Sequence, residues 1–192
     1  MTIELNETAT VDLSAAAYVA PSAQAYGSVV LGEASSLWHN VVIRSEHQHV
    51  KIGRFTNVQD MAMIHVGRRS PTIVGDYCSI THHVTLHGCT IGDFCLIGIN
   101  STIMDGCVIG TGSVISGHCF LPEGTIIPPN SIVMGVPGKV VRERDNRVAN
   151  AANALLYHRN ALATANGNHR GWCDVDPAQL GAEAAELICG YG

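Results

Sequence analysis

Aliphatic side chains recur at every sixth position through the middle of the chain. The recurring residues are Val74, Ile80 and Leu86, then, after one dropped position, Ile91, Ile97, Ile103, Ile109, Ile115 and Leu121. A six-residue period matches neither the roughly 3.6-residue period of a helix nor the alternation of a single strand. It is typical of an all-β solenoid, in which short strands stack coil upon coil.

A second column of positions supports this prediction. The residue two places before each aliphatic one is nearly always small, as in Thr72, Cys78, Val84, Cys89, Cys95, Ser101, Cys107, Ser113 and Cys119. Residues two apart on a strand face the same side, so both columns point inward. We therefore predict a three-sided prism, with one six-residue segment on each face of a coil.

Counting in sixes divides the chain into coils. Each coil contributes one aliphatic residue to the first, second and third faces, and the triplets are Leu31/Leu37/Ile43, Ile52/Val58/Ile64, Val74/Ile80/Leu86, Ile91/Ile97/Ile103 and Ile109/Ile115/Leu121. Longer gaps follow Ile43 and Ile64, both on the third face. We predict that loops leave one corner there, at residues 44–50 and 66–71, which is where rigid scaffolds commonly carry function.

The pattern changes at both ends of the prism. We expect an N-terminal cover over residues 1–18, the solenoid over 19–137, and a C-terminal helical segment and tail over 138–192. Alanine and leucine at helical spacing predict a helix from about Glu143 to Ala165, packed along the outside of the prism, and a second from Pro177 to Ile188.

Composition narrows the function classes. With 192 residues, 46% apolar and 14% charged, the chain suits one domain with a sizeable core. Its net charge of −5 argues against nucleic acid or an anionic membrane as partner. No signal region or long apolar run is visible, so we expect a cytoplasmic protein.

The cysteines fit a structural role. There are seven, with no Cys-x-x-Cys pair, and five lie in the small inward column. We interpret these five as buried free thiols that serve as small apolar side chains.

Two of the ten histidines share one outward slot. His65 follows Ile64 and His87 follows Leu86, so their side chains point outward from adjacent coils, with backbones about 4.8 Å apart. Arg44 occupies the same slot one coil earlier. Imidazole nitrogens bound to tetrahedral zinc are roughly 3.4 Å apart, a spacing that neighbouring strands can supply. One such histidine would be unremarkable on an exposed face, but the stacked pair favours a metal site.

A third ligand is available only at another corner, where the candidates are His82 and His83. His82 lies one extended face, about 16 Å, before His87, so the two cannot hold one ion within a single chain. If His82 is a ligand, the metal lies between subunits, with His65 and His87 from one chain and His82 from its neighbour. Such a contact closes by rotation, and a three-sided prism favours a homotrimer.

At these residues the sequence resembles the γ-class carbonic anhydrases. The matching segments are residues 42–44, 56–60, 64–65, 80–82, 86–92 and 135–142. The resemblance implies a left-handed parallel β-helix and a trimer with metal between its subunits. It also implies roles for single residues: metal ligands His65, His82 and His87, pocket residues Gln59 and Asn57, a tyrosine near the metal, Tyr157, and interface residues Arg44, Glu46 and Asp60.

The chain also departs from the family pattern. The usual Arg-Gly-Asp is Arg44-Ser45-Glu46 here, His47 stands where a carboxylate proton shuttle is usual, and His83 adds an imidazole beside His82. We therefore expect slow hydration of carbon dioxide, with another small carbonyl compound as substrate.

Several functions stay open at this point. Three neutral imidazoles fit Zn²⁺, and Fe²⁺ or Co²⁺ as well, and zinc lowers the pKa of a bound water to about 7. This chemistry suits a hydratase or hydrolase, including an acyl-CoA thioesterase. The alternatives are a hexapeptide acyltransferase with a histidine base, which has no use for a stacked pair, and a non-catalytic trimeric scaffold.

Overall fold

A computed structural model describes residues 10–173 and 175–191, and within them the chain forms a parallel β-solenoid with two C-terminal helices. Its elements are β1 (Val11–Asp12), β2 (Tyr18–Val19), β3 (Gln24–Leu31), β4 (Ser36–Leu37), β5 (Val42–Ile52), β6 (Asn57–Val58), β7 (Met63–His65), β8 (Thr72–Val74), β9 (Ser79–Ile80), β10 (Thr85–His87), β11 (Thr90–Ile91), β12 (Leu96–Ile97), β13 (Thr102–Ile103), β14 (Val108–Ile109), β15 (Val114–Ile115), β16 (Phe120–Leu121), β17 (Ile126–Ile127), β18 (Ser131–Gly135), β19 (Gly138–Glu143), α1 (Arg147–Ala165) and α2 (Pro177–Gly190). The first nine residues of the predicted N-terminal cover lie outside the described part.

The inward columns have the predicted register. On the second face Leu37, Val58, Ile80, Ile97 and Ile115 pair in succession along parallel strands. All of them are fully buried, as are the five column cysteines. The solenoid core is therefore one continuous stack of aliphatic side chains and small residues, which buries apolar surface along the whole prism.

The prediction of a loop at residues 44–50 is wrong. Strand β5 continues through this segment and pairs in parallel with β3 on both sides of a register shift, where Ser45 lies opposite Gly27 and His49 opposite Ser28. The three intervening residues form a bulge, held by the Ser45 hydroxyl, which contacts the carbonyls of Ser28 and Gln48. Gly27 allows this pairing because its φ is +87° and a Cβ there would lie 1.7 Å from the Ser45 carbonyl oxygen. Residues 66–71 do form a loop.

Helix α1 packs along the outside of the prism, as predicted; the structure places it on the second face, where side-chain amides fix it. Asn150 donates to the Phe94 carbonyl at 2.7 Å, and Asn153 donates to the Ser79 hydroxyl at 2.7 Å. The helix begins at Arg147 rather than near Glu143, because residues Gly138–Glu143 pair antiparallel with β18. Within the described segments, neither helix combines the length and apolarity needed to cross a bilayer.

Candidate metal centre

His65 and His87 meet on the third face. Their backbones pair directly, and His65 Nδ1 lies 3.0 Å from His87 Nε2. Arg44 pairs with His65 on the other side, which gives the three-residue column expected from the repeat. Both imidazoles are partly exposed, with 20% and 30% of their side-chain surface accessible. The pair is therefore open to an ion or a partner chain.

A carboxylate holds the outer nitrogen of each ring. Glu46 Oε2 lies 2.9 Å from His65 Nε2, and Asp105 Oδ2 lies 2.9 Å from His87 Nδ1. Arg44 forms an ion pair with Glu46. Desolvation raises the pKa of Glu46, but the hydrogen bond from His65, a backbone hydrogen bond and the charges of His65 and Arg44 together outweigh it, so the pKa lies below its usual value and the group stays ionised.

These contacts decide where the lone pairs point. A neutral imidazole carries one N–H, and a carboxylate accepts it, so the protons belong on His65 Nε2 and His87 Nδ1. The two nitrogens that face each other at 3.0 Å then both present lone pairs. Two lone pairs at this distance repel unless a cation, either a proton or a metal ion, lies between them. The donor set therefore fits a divalent metal that prefers imidazole.

His82 lies apart from this pair, on the second-face side of the prism. Its Nδ1 is 3.1 Å from Asp60 Oδ2, so Asp60 stacks on it from the previous coil, as the repeat predicts. The same proton argument leaves His82 Nε2 free. No group of three His, Cys, Asp or Glu side chains able to hold a metal forms within residues 10–173 and 175–191 of one chain.

Asn57 and Gln59 lie beneath the C-terminal part of the molecule. They are 1% and 2% exposed, and Gln59 Nε2 donates to Asn57 Oδ1 at 2.9 Å. The Asn57 amide in turn donates to the Ser79 hydroxyl at 3.0 Å, the same hydroxyl that contacts α1. The structure thus places both predicted pocket residues in one buried polar network on the face that carries His82.

Tyr157 and His82 line a cavity of about 330 Å³ between the second face and α1. Asp60 lies in the same wall, whereas His65 and His87 do not. The Tyr157 ring contacts Trp38 and Trp172 edge to face, with centroids 5.8 and 5.0 Å away. Burial, with a smaller contribution from Asp60, raises the pKa of Tyr157 to about 12, so its phenol stays protonated near neutral pH.

Sequence reasoning missed Asp105, although a signal was present. Asp105 follows Ile103, the third-face aliphatic of the coil after His87, in a Met-Asp-Gly turn. Counting residues along the repeat places Asp105 beside the column that contains His65 and His87. The count alone does not show that the Asp105 side chain contacts His87. That contact depends on the local turn, which the repeat does not specify.

Comparisons with known proteins agree with this architecture. Residues 88–123 match the family model "Bacterial transferase hexapeptide (six repeats)". A Methanocaldococcus jannaschii protein named "Probable carbonic anhydrase" is 54% identical over 141 residues, covering 72% of this chain and 89% of that protein. "Gamma carbonic anhydrase 1, mitochondrial" of Arabidopsis thaliana is 34% identical over 75% of this chain, which spans 55% of that relative.

A solved structure gives the same result for the fold. A hexapeptide transferase family protein from Anaplasma phagocytophilum superposes with a TM-score of 0.72 at 29% identity, covering 82% of this chain and 91% of that one. Together with the relatives, this likeness agrees with the solenoid fold. The chain belongs to the γ-carbonic anhydrase-like family of hexapeptide-repeat proteins.

Proposed function

We propose that the protein is a metal-dependent hydratase of small carbonyl compounds that acts as a homotrimer. In this proposal His65 and His87 of one chain and His82 of its neighbour hold the metal, which is Zn²⁺ or one of two other ions that accept imidazole, Fe²⁺ or Co²⁺. The family supplies the activity class, since the relatives are named carbonic anhydrases.

One observation carries the proposal: each of the three histidines is backed by its own carboxylate. A ring nitrogen of His65 contacts Glu46, one of His87 contacts Asp105, and one of His82 contacts Asp60. Carboxylate–histidine pairs of this kind are typical of metal centres, where they fix the tautomer and raise the basicity of the ligand. A solvated face with scattered histidines has no reason to supply one partner for every ring.

The surrounding side chains would orient the substrate and transfer the proton. When bound, the metal supplies a water molecule acidic enough to attack a carbonyl carbon at neutral pH. Gln59 and Asn57 form a fixed amide network that would orient the substrate oxygen. The exposed imidazoles of His47 and His83 would carry the proton to solvent.

The cavity beside His82 favours a second candidate, hydrolysis of a thioester or ester at the same metal. A volume of about 330 Å³ lies within the range of pockets that hold drug-sized ligands, and it far exceeds the needs of carbon dioxide. Its aromatic walls, Trp38, Tyr157 and Trp172, suit an apolar acyl group. An acyltransferase would use a single histidine as base, which leaves the stacked pair unexplained.

Metal analysis and two rate assays test the proposal. Protein purified from metal-supplemented medium should contain about one metal ion per chain, and its rate of carbon dioxide hydration should fall when a chelator removes the metal. Slow hydration combined with metal-dependent hydrolysis of short acyl thioesters would favour the second candidate. A metal-free protein would overturn both.

A further inference from the structure

Asp105 is bound on one side only. Its Oδ2 lies 2.9 Å from His87 Nδ1, while its Oδ1 is buried without a hydrogen-bond partner among the described residues. A buried carboxylate oxygen that accepts no hydrogen bond costs free energy. The hydrogen bond between Oδ2 and His87 is therefore the one that holds this carboxylate in place among the described residues.

Two glycines make the space that Asp105 occupies. A Cβ at Gly67 would lie 1.8 Å from Asp105 Oδ1, and one at Gly88 would lie 2.1 Å from the same atom. These glycines follow His65 and His87 closely, one on each coil of the histidine slot. The absence of a side chain at these two glycines leaves the space that the Asp105 carboxylate fills, and a side chain at either position would displace the carboxylate.

We propose that Asp105 is a positioning residue that sets the tautomer of His87. By accepting the proton on Nδ1 it leaves the Nε2 lone pair directed at His65 Nδ1, where an ion would bind. Glu46 fixes His65 in the complementary way, so both rings present a lone pair to one point. The consequence for metal affinity rests on the proposed function, whereas the tautomer assignment does not.

Asp105→Leu tests the assignment because leucine has nearly the same shape and no acceptor. We expect metal affinity to fall about 10- to 100-fold, the usual cost of losing a partner behind a ligand. Glu123→Leu is the matched control, since Glu123 follows Leu121, which pairs with Ile103 on the next coil, and its side chain is exposed. The control should bind metal like the wild type.

A second variant, Gly67→Ala, disturbs the contact between Asp105 and His87 without changing either residue. Gly67→Ala places a methyl group where Asp105 Oδ1 lies, and because Gly67 is not among the positive-φ residues the new side chain costs little by itself. It should push the carboxylate from His87 and weaken metal binding in the same direction as Asp105→Leu.

Two further measurements separate positioning from a structural role. In the metal-free protein, nitrogen NMR should show His87 protonated on Nδ1 in the wild type and shifted toward the Nε2–H form in Asp105→Leu. The metal-free variant should unfold at the wild-type temperature or above it, because a buried, unpartnered oxygen is gone.

Unchanged metal affinity in both variants, or an unchanged His87 tautomer in Asp105→Leu, would overturn the proposal. Should the wild type bind no metal, the proposed function fails, and the NMR measurement still decides the role of Asp105.

Discussion

Replacing His82 by alanine should remove the metal and leave the prism folded. The His82 side chain is 39% exposed, lies outside the aliphatic stack, and contacts Asp60, which is 37% exposed. An exposed pair of this kind contributes about 0.2–1 kcal/mol, so the metal-free variant should match the metal-free wild type within roughly 1 kcal/mol. Loss of the third ligand, by contrast, should abolish tight binding.

Thermal unfolding measured with and without metal distinguishes the loss of metal binding from a loss of fold stability. At a free metal concentration 100-fold above Kd, binding adds about 2.7 kcal/mol to the stability of the wild type. For a chain of this size that is a rise of roughly 5–10 °C, which His82→Ala should lack. His39→Ala is the control, because His39 lines the same cavity and has no metal contact in our proposal. A variant that still gains the full shift, or one that is unfolded without metal, would refute the reasoning.

Three further predictions concern the thiols and the cavity. Native thiol titration should label Cys173 and Cys189 quickly, because they are exposed, and the five buried column cysteines only on unfolding. Burial raises the pKa of Cys89 from 9.0 to about 12, so between these values the unfolded chain loses a proton that the folded chain keeps. Stability should therefore fall as pH rises from 9 toward 12, and thermal unfolding of Cys89→Ser across this range should show a smaller loss. Trp172→Ala should slow thioester hydrolysis, measured as kcat/KM, while metal content and carbon dioxide hydration stay unchanged, because Trp172 lines the cavity and is not among the proposed metal ligands.

The solenoid could be predicted because the repeat is a local pattern: the spacing of residues along the chain is enough to show which side chains point inward. An aliphatic residue at every sixth position can be buried in only one way when coils stack, so the pairing of Ile80 with Val58 and Ile97 follows from counting. The His65–His87 pair follows for the same reason, as each histidine comes directly after an inward aliphatic. The start of α1 was harder to predict from the sequence. Residues 138–143 have no repeating pattern of their own, and they form a strand only because the edge of β18 is available for pairing.

The features that counting missed depend on contacts between coils at the corners. Strand β5 runs through the expected loop because β3 lies beside it and Gly27 permits the close approach, and neither condition is visible in residues 44–50 themselves. Asp105 reaches His87 because two glycines leave room for it. Both cases require knowing which backbone passes beside which side chain, and the period of the repeat does not contain this information.

Mixed trimers give the most direct test of a metal site shared between chains. His82→Ala and His65→Ala chains, each with its own affinity tag, should bind no metal tightly when each is the sole species. In a ring that contains both variants, one junction joins an intact His65–His87 pair to an intact His82, so doubly tagged trimers should hold about one metal ion against about three in the wild type. Doubly tagged trimers without metal, or tight binding by either variant alone, would contradict a site built from two subunits.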